Sequence, residues 1–101
     1  MTTGIFFGST TRTLRVGDVI ETFGGTPATG YHRDRGTVVA VEQDTRRVAV
    51  EFDGDLIEWK PAWGSEAKGH VHVVVFMERG DPRLSPGAYD QALAVHGEVQ
   101  V

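Results

Sequence analysis

The chain predicts a mostly-β fold, and three observations carry that expectation. Its 13 glycines and 4 prolines supply frequent turns. Valines and threonines fill the apolar runs, and branched side chains of this kind suit a pleated surface better than a helix. The stretch RGTVVAVEQDTRRVAVEFDG, residues 35–54, alternates as two strands folding back on one another do. With 101 residues, 40% of them apolar, and no sharp shift in composition, one small domain over residues 1–101 is expected.

The elements follow in chain order. GIFFG, residues 4–8, reads as a short apolar strand, and the polar STTRT after it as a turn. LRVGDVI, residues 14–20, reads as a strand bent at Gly17 and Asp18. Residues 21–34, ETFGGTPATGYHRD, lack any period and hold glycines, a proline and small polar residues, so they read as a long loop with Phe23 and Tyr31 near its ends. Such loops are uncommon in compact domains unless they bind something.

Residues 37–42 and 47–52 are strands joined by a polar link; in the second, Val48, Val50 and Phe52 face inward. Asp53 and Gly54 mark a type I′ turn, whose two central residues need positive φ. LIEWK follows as a strand stopped by Pro61, with Trp59 on the inward parity of Ile57. After the link 61–69, HVHVVVFME gives the longest apolar run and the central strand of the sheet. SPGAYDQALAVHG, residues 85–97, predicts a short helix with Ser85 as N-cap, Pro86 in the first turn and Gly97 at the end. Tyr89, Leu93 and His96 lie three or four apart and share one of its faces, the helix must pack on the sheet, and the tail EVQV supplies an edge strand.

The succession LRVGDVI, loop, RGTVVAV, link, RRVAVEFDG and LIEWK resembles SH3-like small barrels with a KOW-type motif over about residues 14–60, with Gly36 before VVAV as the main point of likeness. The resemblance implies a small, strongly curved barrel of about five or six strands, carrying the short helix in a C-terminal extension from about residue 61. Barrels of this kind occur in nucleic-acid-associated proteins, peptide-binding modules and accessory domains of enzymes, so the likeness constrains shape more than role. The opening GIFFGSTT also resembles the first strand and phosphate loop of flavodoxins, with Ser9, Thr10 and Thr11 matching; it departs at Arg12, where a glycine turn and a helix start belong.

No cysteine is present, which removes disulfides, thiolate metal sites and a cysteine nucleophile together. Neither a leader pattern nor a run of about 18 apolar residues is legible, so a cytoplasmic protein with no membrane segment is expected. Ten basic against fourteen acidic residues give a net charge of -4, which repels phosphate backbones at long range unless the arginines gather on one face.

Arg33 and Arg35 beside Tyr31 and His32, joined by Arg46 and Arg47, have the composition of a nucleic-acid face; the plainer reading pairs these arginines with Asp34, Glu42 and Asp44. His70 and His72 stand two apart on one strand face, a spacing suited to one metal, although a third ligand must come from elsewhere. Asp53, Asp55 and Glu58 read as a solvated hairpin tip rather than paired catalytic carboxylates, and Ser9, Ser65 and Ser85 lack any nucleophile motif. Phe23, Tyr31 and Trp63 are the candidates for contacting a partner.

No cofactor is implied and no catalytic set converges, so the leading expectation is a non-enzymatic interaction or structural module mediating protein assembly, by a protein partner or by self-association. The alternatives are a nucleic-acid-associated barrel using the four arginines, and a small metal protein or enzyme centred on the two histidines.

Overall fold

The structure is a computed structural model describing residues 1–9, 12–28, 30–42, 44, 47–59 and 72–101, with the backbone alone described at 24–26, 32, 55–59 and 72. Among the described residues there are seven strands and one helix: β1 (Thr3–Gly8), β2 (Val19–Thr26), β3 (Gly30–Glu42), β4 (Arg47–Phe52), β5 (Asp55–Trp59), β6 (His72–Met77), α1 (Ala88–His96) and β7 (Val99–Gln100). They form one antiparallel sheet in the order β5-β4-β3-β2-β6-β1-β7.

That order is linear, and it overturns the SH3-like barrel. Closure requires the outermost strands to pair, whereas β5 and β7 stand at opposite ends with five strands between them. Two features open the sheet. Most of the expected loop, at residues 21–26 and 30–34, forms the paired arms of a hairpin, with Val19 opposite Thr37 through to Thr26 opposite Gly30. Strand β6, from beyond the compared stretch, lies between β2 and β1. The flavodoxin likeness fails too, because β1 runs antiparallel to β6 and the described residues after it form turns at 12–13 and 16–17 instead of a helix.

Side chains on the inner face build the core. Ile20, Val38, Val48, Val50 and Val75 are fully buried, and Leu14, Val73 and Met77 nearly so, with Phe7, Val41, Phe52 and Leu84 packed against them. Each buried valine or isoleucine contributes about 1.5–3 kcal/mol relative to exposure. Gly36 has a steric role here: a Cβ at this position would lie 2.7 Å from both the Phe52 ring and Val50 Cγ1, so only glycine lets Phe52 lie across β3. A bulge between Val38 and Ala40 shifts the β3–β4 register and sets Val39 outside it.

Several local expectations meet the structure directly. Asp53 and Gly54 adopt φ of 48° and 86° at the β4–β5 turn. β6 is internal, flanked by β2 and β1. Residues 14–18, by contrast, are a turn rather than a strand: Gly17 takes φ 94°, and its N–H donates to the Val38 carbonyl at 2.8 Å. The helix starts later than Ser85, after Gly87 with φ 80° and no side-chain cap, and Ser85 instead accepts the Ala88 N–H through its carbonyl at 3.1 Å. Gly97 closes it, donating to the Leu93 carbonyl at 3.0 Å; Tyr89 is buried and packs near Phe7, while His96 is exposed.

Candidate functional site

In an antiparallel pair, directly opposed residues share a face. Glu21 lies opposite both Arg35 and Val74, Phe23 opposite Arg33 and His72, and Phe6 opposite Phe76. The side chains of Phe6, Glu21, Phe23, Arg33, Arg35, Val74 and Phe76 therefore project from the outer face, away from the valine core. Phe6 and Phe76 meet edge to face, 5.5 Å between centroids at 66°. The Arg35 guanidinium lies 5.4 Å from the Phe6 ring centre, and that of Arg33 lies 5.4 Å from the Phe23 ring centre.

Glu21 is buried, only 6% exposed, among these rings. A carboxylate removed from water costs several kcal/mol unless it is paired. Arg35 Nη2 donates to Glu21 Oε1 at 2.8 Å, while Arg33 Nη1 stays 3.8 Å from Oε2. The first is a charge-assisted hydrogen bond and the second a looser ion pair. Both arginines remain well exposed, 64% for the Arg33 side chain and 48% for Arg35. Two guanidiniums against one carboxylate leave the patch with excess positive charge.

Beside this patch lies an open cleft of about 450 Å³ lined by Ile5, Phe6, Gly8, Glu21, Phe23, Val74, His96, Gly97 and Val99. Its size falls in the range of roughly 300–1,000 Å³ usual for sites that take small ligands. The sheet supplies its floor, and the end of α1 with β7 supplies one wall.

Of the residues singled out by sequence, the structure gathers Phe23, Arg33 and Arg35. Tyr31, 74% exposed, lies on the same strand face two residues before Arg33. Arg47 pairs in register with Glu42 at the far end of β3, roughly 20 Å along the strand from Arg35. Arg33 and Arg35 both pair with Glu21 across the β2–β3 hairpin. His72 sits in β6 opposite Phe23. Thr10, Thr11, Arg46, Trp63 and His70 lie outside the described residues. Among the described residues no group of three His, Asp or Glu side chains is placed to hold a metal, and no helix is long and apolar enough to cross a membrane.

Sequence reasoning missed Glu21, Phe6, Val74 and His96. A signal for Glu21 existed. Glu21 and Arg35, like Phe23 and Arg33, are equidistant from Ala28, so complementary side chains oppose one another in any hairpin centred there.

A second arginine cluster has a different character. Arg83, 9% exposed in its side chain, donates Nη1 to the Thr13 carbonyl at 2.6 Å and to Asp18 Oδ2 at 2.7 Å. Its Nη2 reaches Asp18 Oδ1 at 3.2 Å and Asp81 Oδ2 at 2.9 Å, and Nε reaches Asp81 Oδ1 at 3.0 Å. The bond to Arg83 holds the Asp81 carboxyl below its ordinary value, and the two aspartates raise Arg83 further above its own. The cluster ties the 13–18 turn to the 81–84 turn.

No family model, curated protein or solved structure matches the chain.

Proposed function

We propose that the protein is a non-enzymatic binding module for protein assembly, holding a partner segment of mixed apolar and acidic character in the cleft over Glu21. The observation that carries this reading is the cleft itself. Phe6, Phe23 and Val74 offer apolar contact around a carboxylate already engaged by two arginines, both with donors still facing solvent. That local excess of positive charge sits on a chain of net charge -4. A long polyanion is repelled by the whole molecule, whereas a short acidic segment feels mainly the charges within about 8 Å at physiological salt.

The test is a titration of isotope-labelled protein with blocked pentapeptides of alternating leucine and glutamate, alongside versions carrying lysine for glutamate. Resonances of Phe6, Glu21, Arg35 and Val74 should move with the acidic peptides only, and Arg33→Ala should weaken that binding about tenfold. Equal response to the lysine versions, or tighter salt-dependent binding of a single-stranded oligonucleotide at the same residues, overturns the reading.

A further inference from the structure

The cleft opens onto an incomplete sheet edge. Thr2 and Val101 exchange both backbone hydrogen bonds, each 2.9 Å, and Gly4 lies opposite Val99 in the same phase. On the other side of β1, the Ser9 N–H donates to the Val73 carbonyl at 3.3 Å, so the odd-numbered residues of β1 bond to β6. Backbone groups alternate sides along a strand. The N–H and C=O groups of Phe6 and Gly8 therefore point outward, past the point where β7 begins at Val99.

Nothing among the described residues pairs with them. Gly97, the next residue in line to reach Phe6, turns away with φ 73° and gives its N–H to the Leu93 carbonyl. Open edges in proteins are commonly blunted by charge, proline or a bulge. The run GIFFG has no charge and no proline, and its pairing with β6 is regular. Phe6 and Gly8 also line the cleft, and a Cβ placed on Gly8 would meet nothing within 4 Å.

We infer that the outer edge of β1 from Phe6 to Gly8 takes an extended segment of the protein partner as an added antiparallel strand, continuing the line of β7. This rests on the reading of the cleft as the partner surface. A partner residue opposite Phe6 or Gly8 projects onto the outer face, over the cleft. Its acidic side chain meets Arg35, whose guanidinium lies over the Phe6 ring. Backbone bonds to Phe6 and Gly8 supply the docking, and the cleft selects the side chain.

Amide hydrogen exchange of the isotope-labelled protein, with and without the leucine–glutamate pentapeptide, tests this. Exchange at Phe6 and Gly8 should be fast in the free protein and slow about tenfold or more in the complex. Peptides N-methylated at the amides facing β1 should lose binding, while methylation of the opposite amides should leave it intact. Peptide-induced shifts in the cleft without protection of Phe6 and Gly8 overturn the added strand and leave the cleft reading standing; no shift at all removes both. Protection already present in the free protein and rising with its concentration identifies a second copy as the occupant and overturns the proposal.

Discussion

Two clusters in this molecule set arginine against carboxylates largely shielded from water, yet they differ in what remains free. Arg83 spends five hydrogen bonds on Thr13, Asp18 and Asp81 and is 9% exposed. A guanidinium has five N–H donors, so nothing is left over. Arg35 makes one such bond to Glu21 and stays 48% exposed, and Arg33 holds the same carboxylate only at 3.8 Å. The first arrangement fastens turns to the border of the core, where Leu14 and Leu84 pack. The second keeps one carboxylate neutralised while leaving cationic donors available.

The sharpest break of that comparison is Arg83→Ala, which strands two carboxylates and should lower unfolding free energy by about 3 kcal/mol in urea denaturation. Arg83→Lys should recover less than half, because an ammonium cannot bridge both aspartates in a fork. A loss below about 1 kcal/mol would mean that the cluster is not the fastening it looks like.

Gly36→Val provides a calibration from the core, displacing the Phe52 ring at a cost of about 2 kcal/mol by overpacking. Acid separates the clusters in another way. Because the folded Asp81 carboxyl is held below its ordinary 3.8, its stabilisation is complete above that pH and is lost as pH falls through the depressed value. The urea midpoint of the native protein should decline below pH 3.8, and that part of the decline should shrink in Asp81→Asn. An unchanged slope rules out the Asp81 pairing as its source.

Arg35→Ala should cost about 1–2 kcal/mol in stability, because buried Glu21 loses its hydrogen bond and keeps only Arg33 at 3.8 Å, while weakening peptide binding more than any other surface change. The smallest expected effect is Arg33→Ala on stability, about 0.3 kcal/mol. If Arg33→Ala and Arg83→Ala unfold at the same urea concentration, the distinction between a spent and an available cluster collapses.

The β3–β4 hairpin was legible in sequence because its information is local. Val48, Val50 and Phe52 alternate, and Asp53-Gly54 names its own turn through the φ values it requires. The β2–β3 hairpin carries its information across the turn instead, in Glu21 with Arg35 and Phe23 with Arg33. Read along the chain, its glycines and threonines look like a loop. The barrel is what the resemblance over about residues 14–60 implies, but whether a sheet closes depends on where distant strands insert, and β6 enters between β2 and β1. Gly36 was noticed as part of a motif; its reason, the ring of Phe52 above it, is a tertiary contact. Glu21 gave no sign of burial, since nothing in its neighbours in sequence distinguishes it from a surface acid.

The mutual bonds between Thr2 and Val101 set these two residues side by side at one corner of the sheet. A short glycine–serine bridge joining residues 101 and 1 of this stretch, with a new opening at the exposed Asp53-Gly54 tip, would keep the order of strands. A permutant of these 101 residues built in that way would begin and end at the opposite margin of the sheet, far from Phe6.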